Sequence, residues 1–161
     1  MNKYEAFFAA IGRFVLNWAD MEMALDLLVV HGLSKAEESE IDKRIPHELG
    51  GKIKLARRFA GSIPEWKPHR TRINMILRRI EALSATRHDF IHGAITEHQE
   101  GRRTLRVKLA RILQPKKPTE RPPVTVTTGK VNVTARRVYK LADDLWSLTS
   151  GMVRQTEAEP K

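Results

Sequence analysis

Apolar residues return every third or fourth position through the first part of the chain. Phe7, Ile11, Phe14, Trp18, Leu25 and Val29 fall on one face of a helix predicted over residues 3–32, and Gly32 stands where that pattern stops. The polar stretch LSKAEESEIDKR reads as a loop or a short helix. Pro46 opens a second helix that reaches Phe59 or Ala60, with Gly50 and Gly51 near its start. After SIPEWKPH a third helix, residues 69–91, carries Ile73, Leu77, Ile80 and Ser84 on one stripe that continues through Arg87 and Ile91.

Beyond Gly93 the pattern changes to alternation. Residues 94–98, a turn at Gln99, Glu100, Gly101 and Arg102, and the run TLRVKLARI predict a β-hairpin, because Leu105, Val107 and Leu109 alternate with Arg106 and Lys108. QPKKPTERPP is a proline-rich loop, and VTVTTGKVNV is a candidate third strand. A last helix from about Thr134 lines up Val138, Leu141, Leu145, Leu148 and Met152. The expected fold is mainly α, a bundle of four to five helices with a small hairpin or three-stranded insert at residues 94–132. Residues 1–155 are expected to form one domain, with TEAEPK (156–161) a disordered tail.

Two charges interrupt the buried stripes. Stepping from Phe14 by threes and fours reaches Trp18, Glu22, Leu25 and Val29, and the same walk on the third helix sets Arg87 between Ser84 and Ile91. A charge aimed inward needs a partner, and each helix offers the sign that the other lacks, so a Glu22 to Arg87 ion pair is expected. The plainer alternatives are a specificity device within a bundle, or a stripe misread by one residue whose charge reaches water.

Composition narrows the partners. The 161 residues, 41% apolar, suffice for one sizeable core. No cysteine is present, which removes disulfides and thiolate sites and suits a reducing, cytoplasmic setting. Acidic and basic residues punctuate the apolar N-terminal helix, so neither a signal peptide nor a membrane span is expected. The net charge of +10 is uneven: residues 1–50 hold 5 Lys/Arg against 9 Asp/Glu, and the remainder holds 24 against 10. Such a basic surface attracts nucleic-acid phosphate or anionic membrane, and its inert counterpart is a solvated face. The strip Arg102, Arg103, Arg106, Lys108 and Arg111, with Lys116 and Lys117 in the following loop, is the candidate RNA-backbone contact; the bland counterpart is an edge strand whose charges block aggregation.

The stretch TRHDFIHG holds the candidate chemistry. His88 and His92, four apart, share a helix face at a spacing that also suits a metal, with Asp89, Glu97 or His98 as third-ligand candidates. No HExxH glutamate and no cysteine supports that use, and two cap or surface histidines beside Gly93 are the plainer alternative. Arg87 and His92 are five apart, about 140° around a helix, and converge if the arginine reaches or the helix ends near Gly93. An arginine fork beside a histidine suits phosphate chemistry. The guanidinium stabilises charge on a pentacoordinate phosphorus, while the imidazole moves the proton of a ribose 2′-hydroxyl or of the leaving oxygen, and no metal or other cofactor is needed.

Arg87-His88-Asp89-Phe90-Ile91-His92, followed by Gly93, resembles the Arg-x4-6-His motif of the HEPN superfamily, with a polar residue directly after the arginine. IGRFVLNWADMEMAL, with Trp18 and then Glu22 one turn on, is similar to the first helix of bacterial HEPN proteins. The likeness covers residues 3–93 and leaves out the basic insert. It implies a helical bundle that forms a homodimer, so that two motifs build one metal-independent endoribonuclease site producing 2′,3′-cyclic phosphate ends. It also implies a toxin or antiviral effector, with an antitoxin protein among its partners. By position, the resemblance makes His92 the acid/base residue, Arg87 the phosphate ligand, His88 a supporting or RNA-contacting residue beside Asp89, and Glu22 the residue that orients Arg87. A non-catalytic HEPN-like module that binds nucleic acid, nucleotide or a partner protein is the second expectation, since fold and activity are separate properties.

Overall fold

A computed structural model describes residues 2–36, 44–101, 105–111 and 122–158; of residues 111 and 156–158 it describes the backbone alone. The elements run α1 (Lys3–Lys35), α2 (Leu49–Ser62), a 3-10 helix (Pro64–His69), α3 (Arg70–His92), β1 (Gly93–Glu100), β2 (Leu105–Arg111), β3 (Val124–Thr127) and α4 (Thr128–Ala158). The chain is mainly helical, with a small three-stranded antiparallel sheet before the last helix, in the order β1-β2-β3. No helix among the described residues is long and apolar enough to cross a membrane.

Several boundaries differ from the sequence expectation for identifiable reasons. Gly32 does not end α1, which continues to Lys35. Glycine is required there by the Phe59 ring, because a Cβ at position 32 would overlap it. Pro46 does not open α2; the helix starts after Glu48, which is extended at the cap and whose carbonyl accepts from the Lys52 amide at 3.1 Å. α2 closes at Ile63, held extended by the proline that follows it. The run VTVTTGKVNV is divided: its first four residues are β3 and Thr128 begins α4, six residues earlier than expected. α4 also takes in residues 156–158 of the expected tail, while 159–161 lie outside the described residues.

By its internal contacts the chain forms two compact units, with α1, α3 and α4 each contributing a segment to both. The first comprises residues 1–18 and 83–138. Its sheet pairs Val107 with Val126 and Leu109 with Ile95, and a bulge lies between Ile95 and Glu97. Leu105, Val107, Leu109 and Val126 are buried, as are Phe7, Ala10, Phe14 and Trp18 of α1, Phe90 of α3, and Val131, Ala135 and Val138 of α4. Phe14 meets the Phe90 ring edge-on at 5.0 Å. Asn17 donates to the Ala135 carbonyl at 2.9 Å and Arg13 to Asn132 at 2.9 Å, tying α1 to α4. Lys3 donates to the Gly101 carbonyl at 2.8 Å, tying α1 to the hairpin turn.

In the second unit, residues 19–82 and 139–161, polar contacts join the four helical segments in a ring. Lys52 of α2 donates to Asp26 of α1 at 2.8 Å, and Arg57 of α2 to Glu81 of α3 at 2.8 Å. Arg72 of α3 lies 3.8 Å from Asp144 of α4, and the Trp146 indole of α4 donates to Asp20 of α1 at 3.2 Å. Inside the ring Met21, Leu25, Leu28, Ile53, Phe59, Trp66, Ile73, Ile76, Leu77, Ile80, Leu145 and Leu148 are buried. Trp66 is core, with Phe59 edge-on at 6.0 Å and His31 stacked at 5.7 Å.

Candidate functional site

The last turn of α3 is anchored on its inward side. Phe90 is buried against Phe14 and fixes the rotation of the turn about the helix axis. That rotation leaves His88 and His92 exposed and Arg87 and Asp89 half-buried. His92 is the last residue of the helix, and Gly93 begins β1 without a turn between them. A Cβ at Gly93 would overlap the Asp89 carbonyl oxygen and stand 3.1 Å from Cβ of Leu109, so only glycine lets the helix pass into the strand this closely.

Arg87 and His92 converge despite their angular separation on the helix. Nη1 of Arg87 lies 3.5 Å from Nε2 of His92. A histidine carrying its proton on Nδ1 accepts from Nη1 at Nε2, in a contact at the long limit of a hydrogen bond. Nε of Arg87 is buried and has no hydrogen-bond partner among the described residues. The His88 ring follows at 4.8 Å from the His92 ring, tilted by 55°. One guanidinium and two imidazoles thus stand side by side on an exposed helix end, an arrangement able to bind an anion and to move a proton beside it.

The other expected site residues are distributed differently. Glu22 is half-buried, as its stripe requires, and belongs to the second unit, whereas Arg87 belongs to the first. Of the basic strip, Arg106 is exposed and Lys108 is half-buried, donating to Glu97 across the β1-β2 ladder at 2.9 Å. Lys108 is therefore partly neutralised. Its strand is the middle one of the sheet, which corrects the edge-strand explanation for these charges. Arg111 pairs along the backbone with Gly93 and its side chain is not described; Arg102, Arg103, Lys116 and Lys117 lie outside the described residues. Among the described residues no three side chains of His, Cys, Asp and Glu gather as a metal site.

A second basic segment lies outside the strip that the sequence reading singled out. Residues 51–82 hold nine lysines and arginines against two acids, and Lys54, Arg58, Lys67, Arg70, Arg72, Arg78 and Arg79 are all exposed. Its signal in the sequence is the local excess of nine cations over two acids. Comparison of the chain with protein-family models, curated proteins and solved structures returned no match. The likeness to HEPN proteins rests on the Arg87 to His92 motif and the Trp18/Glu22 helix.

Proposed function

We propose that the chain is a HEPN-type endoribonuclease, and the approach of Arg87 Nη1 to His92 Nε2 is the observation that supports this most directly. The two groups have the complementary roles that RNA scission requires. His92 of one copy takes the 2′-hydroxyl proton as the 2′-oxygen attacks phosphorus. His92 of a second copy gives a proton to the departing 5′-oxygen, leaving a 2′,3′-cyclic phosphate and a 5′-hydroxyl. The Arg87 fork stabilises the added negative charge on the non-bridging oxygens. Glu22 is proposed to orient Arg87, His88 to contact RNA or support His92 beside Asp89, and the exposed arginines to hold the backbone without reading sequence. A cytoplasmic toxin or antiviral effector, held by an antitoxin protein, is the physiological setting this proposal carries.

The test is cleavage of end-labelled mixed RNA by purified protein in excess EDTA, with analysis of the 3′ ends. Wild type should produce cyclic-phosphate ends, and His92→Ala and Arg87→Ala should each cut at least about 100-fold more slowly while still binding RNA. Cleavage undiminished in His92→Ala removes the proposal. An inert wild type that binds RNA favours a non-catalytic module built on the same helices.

A further inference from the structure

The bulge in β1 decides where one imidazole stands. Ile95 and His98 are three apart, and in a regular strand they would face opposite sides of the sheet. Here Thr96 is left out of the ladder, Ile95 pairs with Leu109 and His98 with Val107, and both therefore stand on the side where Leu109 and Val107 are buried. Over β2 that side is covered. Over β1 it is open, because every residue from Ile95 to Glu100 is exposed. His98 meets Tyr4 of α1 there, edge to face with ring centres 5.4 Å apart. Lys3 reaches the Gly101 carbonyl and Tyr4 reaches His98, so α1 runs back along β1, and Phe8, one helical turn beyond Tyr4, comes level with Ile95. Phe8 is 56% and Ile95 46% exposed. All four side chains belong to the first unit, and their row leads toward His92, three residues and roughly 10 Å before Ile95.

We infer that Tyr4, Phe8, Ile95 and His98 form a platform on which unpaired RNA bases stack beside the phosphate held by Arg87 and His92; as a substrate subsite it rests on the ribonuclease proposal. Three of the four side chains are flat rings. Such rings hold splayed bases by their faces, largely without regard to which base is present. The carboxylates nearby repel the intervening phosphates only weakly, because Glu100 lies 3.5 Å from Lys3 and Glu97 2.9 Å from Lys108. In a duplex each base is already stacked between its neighbours, so the platform selects single-stranded RNA. The extra residue in β1 thus has a use: it turns the strand that follows the catalytic helix into a surface for the bases next to the cut.

The test separates stacking from charge and from cleavage. A short 2′-O-methyl RNA of mixed sequence, which has no 2′-hydroxyl to react, is titrated beside the same backbone without bases and beside its duplex. Wild type should bind the strand with bases at least about 10-fold tighter than the one without. His98→Ala and Phe8→Ala, both at exposed positions, should each weaken the former about 5- to 150-fold. Binding of the baseless strand and the duplex, and the slope of log affinity against log salt, should not move, because no cation is lost. His98→Phe should restore the tight binding, since it returns a ring. Equal affinity for strands with and without bases, or alanine variants that bind as wild type does, overturns the platform. Cleavage of ordinary RNA is measured separately on wild type and His92→Ala. Base-dependent binding by an inert wild type removes the nuclease proposal and keeps the stacking site, whereas cleavage with base-independent binding does the reverse.

Discussion

His31 lies flat on Trp66, with ring planes 18° apart, on the inner side of α1. Burial lowers its pKa below the ordinary 6.5, Lys35 lowers it further, and Glu65 acts in the opposite sense. The sign of the stability effect follows. Below the unfolded value the unfolded chain binds the proton more readily, so the contribution of a neutral His31 is complete above about pH 6.5 and is lost as pH falls from there through the lowered folded value. His31→Phe keeps a ring against Trp66 and has no proton to bind. Its melting temperature should therefore fall less than that of wild type between about pH 7 and 5, a difference readable by circular dichroism. Equal pH slopes would mean that the stacked histidine does not report on folding. At the same scale Glu81 has its pKa lowered, first by the hydrogen bond from Arg57 and against the opposing effect of burial, but the pair lies at the surface and contributes little.

Among the elements, the passage from α3 into β1 is the most constrained. Gly93→Ala places a methyl group against the Asp89 carbonyl, a backbone atom that cannot swing aside, and against Leu109. It should destabilise the protein by about 1–3 kcal/mol. The expected fall in melting temperature is roughly 2–12 °C, with a matching loss of RNA cleavage as His92 is pushed out of line with Arg87. A melting curve superimposable on that of wild type would show that the junction relaxes. How far such features were legible depends on whether their cause is local. The stripes of α1, α3 and the end of α4 followed from periodicity, and so did the alternation of β2, because each apolar set is buried on one face. The start of α4 was missed because Val131 and Val133 favour strand by propensity. Toward the N-terminus from Val138, the helical stripe passes through Ala135 to buried Val131, and that burial decides. Phe90 was missed as the inward anchor of the site turn because the stripe was followed through Ile91, one position away. The Lys52 to Asp26 pair joins two helices across 26 positions and leaves no local trace. The convergence of Arg87 and His92 was legible only as a condition, either the reach of the arginine or a helix end near Gly93, and α3 does end at His92.

For the whole molecule, net charge sets how it meets a polyanion. An excess of +10 and a sequence pI near 10.2 make association with RNA favourable at long range, but long-range attraction alone does not say where phosphates settle. The two units differ in this respect. In the first, the described charges of the hairpin are partly paired, Lys108 with Glu97 and Lys3 with Glu100. In the second, α2, the 3-10 helix and α3 expose seven lysines and arginines, with Arg72 near Asp144. If the proposed nuclease holds its substrate by the backbone, more of that hold should come from α2, the 3-10 helix and α3 than from the hairpin. Removing one cation that neutralises a phosphate lowers the slope of log affinity against log salt by about 0.7 for single-stranded nucleic acid. Arg78→Ala with Arg79→Ala should thus reduce the slope by up to about 1.4, weakening binding alike for RNAs of different sequence, while Arg106→Ala should reduce it less. Titrations of a labelled single-stranded RNA at several salt concentrations measure this. A slope unmoved by the double substitution, but lowered by Arg106→Ala, would return the phosphate-binding role to the hairpin and leave the charges of α2 and α3 as a solubilising face.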